Sequence, residues 1–243
     1  MAYTAESFLK KLRPLAVADM KRTGILASLT GSQGFLESNK GNSGLSTQCN
    51  NLFGIKGTYN GQSGRYLTTE YVNGVATKVY ANFRKYPSWF ESVNDHSAFL
   101  NKYARYKKLR GCTDYKLAAQ YIGESGYATS PTYAQTVLSY MTKYKLYEWD
   151  NLVLHPTNPT AIGQYQTISR LFVRCEPNKN SAQVPKSALT ANAQANSDEN
   201  GILNLGISVT VKKIAYDGYG NTWGQIPSGW IALRYNNVNY VIQ

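Results

Sequence analysis

The sequence predicts an α+β domain, a helical body carrying one β-hairpin, followed by a small all-β domain. Three observations carry that expectation. Apolar residues recur at helical spacing through residues 4–38 and again in stretches between 88 and 147. Strict alternation takes over between Tyr66 and Phe83, centred on Asn73-Gly74, the strongest short hairpin signal. Beyond residue 167 the helical period gives way to short apolar runs separated by turn residues. With 243 residues, 42% hydrophobic and 16% charged, the chain can bury two cores. We divide it at 1–150, a linker at 151–167 marked by Pro156 and Pro159, and 168–243.

The first helix is expected over 4–22, with Phe8, Leu9, Leu12, Leu15 and Met20 inward and a bend at Pro14. The second runs from about 25 to 38 along Ile25, Leu26, Leu29 and Leu36, and Gly31 and Gly34 should each weaken it by roughly 1 kcal/mol relative to Ala. It delivers Glu37 at its C-terminal end, before Gly41 and Gly44 turn the chain. A carboxyl against an apolar wall, at the negative end of a helix dipole, is expected to hold its proton to higher pH, as a general acid must. Gln33 lies one turn earlier on the same face and is a candidate to line a groove.

A two-residue turn at Asn73-Gly74 sets the hairpin register: Val72 opposite Val75, Glu70 opposite Thr77, Thr68 opposite Val79. Glu70 is then the one carboxylate on a face of Val and Thr. Ser88 and Glu91 form a capping box for a helix running to about Tyr106, with Trp89, Val93, Phe99, Leu100 and Tyr103 on its buried side. Asp95 and His96 are adjacent on that helix and point in different directions, so both are assigned to structure rather than to acid/base work. A helix over about 115–122 leads to a loop holding a third carboxylate, Glu124. Ser130 as N-cap and Pro131 at the first position open the last helix of the domain. In the second domain, strands are expected at 171–174, 207–211 and 235–242, with a turn at 217–221.

The net charge of +12 is concentrated in residues 1–150, which hold 19 basic and 10 acidic side chains against 7 and 4 beyond. Such a field favours polyanions, and nucleic acids and bacterial walls qualify equally, so charge does not choose between them. Two histidines and no H-E-x-x-H leave a zinc peptidase or zinc amidase short of ligands. Cys49, Cys112 and Cys175 lack C-x-x-C spacing and any nucleophile signature, and are read as reduced structural residues. No run of eighteen apolar residues occurs, and residues 1–24 are too charged for a signal-peptide core, so neither membrane insertion nor ordinary secretion is expected.

The string ESNKGNSGLS from Glu37, followed by NNLFGIKG from Asn50, resembles the signature of glycoside hydrolase family 73, bacterial and phage endo-β-N-acetylglucosaminidases that cut peptidoglycan. TTEYVNG at 68–74, the YPS…ES…DH run and GYATSPTYA at 126–134 extend the resemblance over about residues 4–147. It implies a lysozyme-like domain whose hairpin lobe faces the helical lobe across a groove. By this resemblance Glu37 is the general acid and Glu70 the second catalytic carboxylate. Tyr127 or Tyr133 would stack on or hydrogen-bond a sugar, and Asn51 and Phe53 would join them in binding substrate. The chain departs from the family in having Asn39-Lys40 in place of Gly-Trp, and Ser130 in place of Asp.

LFVRCEPN and WGQIPSGWIAL resemble the bacterial SH3-type (SH3b) module over about 168–243, implying an SH3-like barrel that docks lysins on walls. Tyr216, Tyr219 and Trp223 are its candidate platforms, with Trp230 in the core. The combined expectation is a monomeric peptidoglycan hydrolase without cofactor or metal, with bacterial peptidoglycan as partner, teichoic acid as a further one, and no nucleic acid. Without a signal peptide it would wait in a host cytoplasm for release, as a phage endolysin does, or act as an extracellular autolysin. The rivals are a muramidase or lytic transglycosylase on the same polymer, and a non-catalytic wall-binding protein.

Overall fold

A computed structural model describes residues 2–72 and 75–243, and of Glu70, Tyr71, Val72 and Ala76 the backbone alone. The chain divides into two compact units, Met1–Asp150 and Asn151–Gln243. In the first, α1 (Ala5–Thr23) opens on a reciprocal cap: the Thr4 hydroxyl accepts from the Ser7 amide at 3.1 Å, and the Ser7 hydroxyl accepts from the Thr4 amide at 2.9 Å. It closes at Gly24 in the left-handed conformation. Phe8, Leu12, Ala16 and Val17 are wholly buried, and each large side chain contributes roughly 1.5–3 kcal/mol by leaving water.

The next helix, α2 (Ala27–Glu37), has no solvent face over most of its length, since every residue from Ala27 to Phe35 is buried. Its N-cap residue, Leu26, offers no side-chain acceptor, so the cap comes from far along the chain: Asp150 Oδ1 accepts from the Ser28 amide at 2.8 Å. The expectation that Gly31 and Gly34 merely weaken this helix is incomplete. A Cβ on Gly31 would lie 2.7 Å from a ring carbon of Trp149 and 3.3 Å from Leu146, and one on Gly34 would lie 3.1 Å from Leu12. Both glycines let neighbours approach the helix backbone, and packing offsets their propensity cost.

Beyond α2, Asn39, Lys40 and Gly41 take positive φ, and the Ser38 hydroxyl accepts from the Gly41 amide at 2.7 Å. This tight reversal leads to α3 (Gly44–Cys49), capped by Ser43. Strands β1 (Ser63–Val72) and β2 (Val75–Arg84) form the hairpin with the register read from the sequence, Val72 opposite Val75 and Glu70 opposite Thr77. The Asn73-Gly74 turn itself lies outside the described residues. At the base of the hairpin, Arg84 donates to both oxygens of Asp95 at 2.7 and 2.6 Å, and the Tyr86 hydroxyl donates to the same carboxylate at 2.6 Å.

That carboxylate belongs to α4 (Trp89–Lys102), capped by Ser88, whose hydroxyl accepts from the Phe90 amide and donates to Glu91. The helix stops before the expected Tyr106 because Tyr103 turns extended, and 104–109 continue as a 3₁₀ helix. On the inner face His96 is fully buried and stacked on Phe53, ring centres 3.9 Å apart and planes 13° from parallel. Next comes α5 (Tyr115–Glu124), which includes Glu124 rather than leaving it in a loop; that side chain is exposed and bonded to Lys108 and Gln120. Residues 130–132 form a turn, so α6 (Tyr133–Lys143) starts later than Ser130-Pro131 suggested. The last helix, α7 (Tyr147–Leu154), runs across the division at residue 150.

The second unit is β-rich. It contains β3 (Gly163–Thr167), a short α8 (Ala191–Ala195), β4 (Ser208–Val211), β5 (Lys213–Tyr216), β6 (Thr222–Ile226), β7 (Gly229–Tyr235), β8 (Val238–Asn239) and β9 (Val241–Ile242). The strands form two sheets, ordered β4-β3-β9 and β5-β6-β7-β8, around a core that includes Tyr165, Leu171, Val173, Leu203, Ile231 and Leu233. The segment 151–167, read as a linker from its prolines, in fact holds the end of α7 and the central strand β3. Residues 171–174 make isolated bridges instead of a strand, and α8 appears where only strands were expected, started by the Thr190 hydroxyl. The three cysteines are free, with Cys49 buried and Cys175 exposed, so a structural role holds for the former and not the latter.

Two outcomes are expected from this packing. Gly31→Ala gains about 1 kcal/mol of helix propensity but must displace Trp149 at a cost of about 1–3 kcal/mol, so a net loss of up to about 2 kcal/mol in denaturant unfolding is expected. Burial lowers the His96 pKa from 6.5 to about 3, and neither ring nitrogen has a hydrogen-bond partner among the described residues. The unfolded chain therefore binds a proton that the folded one refuses, and stability is lost as pH falls from 6.5 toward 3. His96→Phe should remove about 2 kcal/mol of that loss between pH 7 and 4.5, measured as the difference in unfolding free energy at the two pH values.

Candidate functional site

Glu37 is the last residue of α2, where the helix leaves the core, and its side chain is half-buried. Tyr133, the first residue of α6, points its hydroxyl at this carboxylate and donates to Oε1 at 2.7 Å. One turn back on α2, Gln33 is fully buried, and its Nε2 donates to the same hydroxyl oxygen at 3.0 Å. Tyr127 stacks on Tyr133 with ring centres 5.7 Å apart, and its hydroxyl donates to the Phe53 carbonyl at 3.4 Å. Phe53 in turn rests on His96. The Glu37 carboxyl is thus backed by a run of ring contacts from three segments of the chain, stacked at Tyr133–Tyr127 and His96–Phe53 and edge-on between Tyr127 and His96.

The electrostatics follow from burial. Desolvation raises the Glu37 pKa above the ordinary carboxyl value, and the hydrogen bond from Tyr133 pulls it part of the way back. Burial, reinforced by the neighbouring Glu37 charge, drives the Tyr133 and Tyr127 hydroxyls far above their usual pKa, so both remain neutral. A neutral phenol stabilises a carboxylate less than a paired cation would, so the Glu37 pKa stays above its ordinary value.

Several residues singled out from the sequence lie elsewhere than expected. Gln33 does not line an open groove; it sits beneath Tyr133 with no exposed surface. Asn51 is 1% exposed and staples the loop to the hairpin, donating to the Ile55 and Arg84 carbonyls at 2.9 Å and accepting from the Ile55 amide. Phe53 is buried in its stack with His96. None of the three offers a surface to a ligand, because each is spent on internal bonds or packing. Of the two tyrosines left open by the sequence, Tyr133 touches Glu37 and Tyr127 supports it. The Glu70 backbone lies on β1 opposite Thr77, while its side chain lies outside the described residues.

In the second unit, Tyr216 and Tyr219 are 60% and 92% exposed. Trp223 is buried, with its indole N–H donating to Asp217 at 3.1 Å, and Trp230 is half-buried rather than in the core. Trp223 nevertheless forms one wall of a cavity of about 260 Å³, with Phe172, Arg174, Lys179 and Tyr235 among the other lining residues. Only Trp223 of these was marked by the sequence as a binding residue; the others come together from β7 and the loop after β3. Among the described residues no group of three or more His, Cys, Asp and Glu is placed to hold a metal ion, and no helix is long and apolar enough to cross a membrane.

The glucosaminidase family (mannosyl-glycoprotein endo-beta-N-acetylglucosaminidase) matches residues 13–146, more than half of the chain. The chain is similar to exo-glucosaminidase LytG of Bacillus subtilis, 40% identical over 134 residues that cover 53% of this chain and 47% of that protein. It is also similar to peptidoglycan hydrolase FlgJ of Pseudomonas aeruginosa, 34% identical over 155 residues covering 61% and 39%. The chain thus spans less than half the length of either relative. Among solved structures, the catalytic domain of the autolysin Auto from Listeria monocytogenes superposes with a TM-score of 0.56 at 32% identity, covering 61% of this chain and 90% of that one. With a helical body, a β-hairpin and a glutamate at the end of a buried helix in the matched region, the chain belongs to the glucosaminidase family of glycoside hydrolases.

Proposed function

We propose that the protein hydrolyses bacterial peptidoglycan as an endo-β-N-acetylglucosaminidase, cutting the β-1,4 bond that follows N-acetylglucosamine, with Glu37 as general acid. The observation that carries this reading is the Glu37 carboxyl itself: half-buried, raised in pKa by desolvation, and held by the neutral Tyr133 hydroxyl. The names of LytG, an exo-glucosaminidase, and FlgJ, a peptidoglycan hydrolase, support the class of bond and the polymer. Glu37 protonates the departing glycosidic oxygen as oxocarbenium character develops at C1. Glu70, on the hairpin, is the candidate for the other half of the reaction. As general base on a water it would stand about 6.5–9.5 Å from Glu37 and give inversion; with the substrate's 2-acetamido group as nucleophile it would only stabilise charge.

The second unit, in this reading, is an SH3-type module that holds the enzyme on the wall, with exposed Tyr216 and Tyr219 as contact points. The protein then works as a phage endolysin or an autolysin, and teichoic acid adds a polyanionic attraction to its net charge of +12.

Glu37→Gln is expected to fold normally by circular dichroism and to lose about 10²–10⁴-fold in turnover on purified peptidoglycan. Mass spectrometry of the wild-type digest should show N-acetylglucosamine at the new reducing end. Muramic acid or its anhydro form there would instead assign a muramidase or lytic transglycosylase, and full activity in Glu37→Gln would remove the residue from the role.

A further inference from the structure

We infer that Gln33, buried behind the site, is a positioning residue that fixes the direction of a Gln33–Tyr133–Glu37 hydrogen-bond chain and confines the acid's proton to Glu37 Oε2. The inference rests on the reading of Glu37 as general acid.

A phenol has one proton to give. Gln33 Nε2 donates to the Tyr133 oxygen at 3.0 Å, so the phenolic proton is turned to Glu37 Oε1, 2.7 Å away. Oε1 is then an acceptor whether Glu37 is charged or neutral. The proton of the neutral acid has only Oε2 left, and Oε2 has no hydrogen-bond partner among the described residues. Spacing makes this possible: Gln33 and Glu37 stand four residues apart on α2, so both reach one hydroxyl from the same helix face.

The opposite chain would run from a Glu37 O–H through Tyr133 to Gln33 Oε1, and would trap the acid's proton against the core. The amide decides between the two. Gln33 is 0% exposed and its Oε1 has no partner. Rotating the amide to put Oε1 on the phenol would move the NH₂ group into that unpartnered position and leave both its protons unbonded. Orphaned buried N–H groups are rarer in proteins than under-satisfied carbonyl oxygens, so the observed direction is the favoured one.

In the reaction, the Oε2 proton passes to the glycosidic oxygen, which keeps the electron pair of the breaking C1–O bond. Glu37 is left a carboxylate with Tyr133 already donating to its other oxygen, and water adds at C1, its proton passing to the base, Glu70 in the inverting route. The titratable groups facing Glu37 are Tyr133 and Tyr127, and behind Tyr127 lie Tyr106, Arg105 and His96.

The test uses full-length protein and pH profiles of kcat/KM on peptidoglycan for Gln33→Met, Gln33→Glu, Tyr133→Phe and the Gln33→Met/Tyr133→Phe double variant. In Gln33→Met the phenol loses its orientation and stabilises the carboxylate less, so the alkaline limb should move up by roughly half a pH unit to one unit. Turnover should fall about tenfold with KM held within about twofold. In Gln33→Glu an ionised carboxylate takes the phenolic proton away from Glu37 and adds a like charge beside it, both of which raise the acid's pKa, so the limb should move up further than in Gln33→Met. The double variant should show no limb shift beyond that of Tyr133→Phe. A limb shift in Gln33→Met that vanishes once Tyr133 is already Phe cannot arise from a packing role alone. Limbs that stay put in folded variants, or shifts that add in the double variant, overturn the relay. If Glu37→Gln is inactive while the limbs stay put, the relay alone fails; an active Glu37→Gln fails the general-acid reading itself.

Discussion

The site depends on α2 being a helix with nowhere to face but the core. Nine consecutive residues, Ala27 to Phe35, are out of solvent, and their polar members Ser28, Thr30, Ser32 and Gln33 are carried inside with them. A helix so enclosed cannot rotate or slide without exposing apolar surface on one side and burying unpaired groups on the other. Gly31 against Trp149 and Gly34 against Leu12 fix its depth. Asp150, accepting from the Ser28 amide, fixes its start, and burial raises that carboxyl to a pKa of about 6 even so. The point at which α2 emerges is therefore set by packing along its whole length, and Glu37 is the residue at that point.

α4 backs the same region from another side, and its adjacent pair Asp95 and His96 shows how. Asp95 turns toward the hairpin and takes Arg84 and Tyr86 at its base, while His96 turns inward and supports Phe53 beneath Tyr127. One helix thus anchors the base of the hairpin, through Arg84 at the end of β2, and the rings that support Tyr133. A partly buried arginine–carboxylate pair, with Arg84 Nη1 reaching both oxygens and Tyr86 adding a third bond, contributes more than an exposed ion pair. The Lys108–Glu124 pair, open to solvent, is of that weaker kind.

What the sequence disclosed and what it hid separate along the same physical line. Period and turn chemistry act locally, so the extent of α2 and the register of the hairpin could be read directly. The stop of α4 at Tyr103 and the start of α6 at Tyr133 were misread by a few residues, because extended backbone at Tyr103 and a turn over 130–132 override a helical pattern that continues in the residues. Asn51, Phe53 and Gln33 looked like ligand contacts because of where they lie in the chain, and each proved internal. Their partners, the Arg84 carbonyl, His96 and Tyr133, are 33, 43 and 100 residues away, and no local pattern encodes those meetings. The same holds for the exchange of roles between Trp223 and Trp230: both are tryptophans near a turn, and only the approach of Asp217 to one indole marks it as the buried member.

The two carboxylates of the first unit that meet a tyrosine hydroxyl show why their neighbours differ. Asp95 has both oxygens committed, to a guanidinium and a phenol, and nothing remains to offer a ligand. Glu37 has a phenol on one oxygen and no hydrogen-bond partner among the described residues on the other. Placing an arginine where Tyr133 stands would have favoured the charged form and lowered the Glu37 pKa. A buried phenol, kept neutral by its surroundings, orients the acid while leaving most of the desolvation that raises its pKa in force. The choice of tyrosine over a cation is thus what lets one carboxyl be held in place while its pKa stays raised.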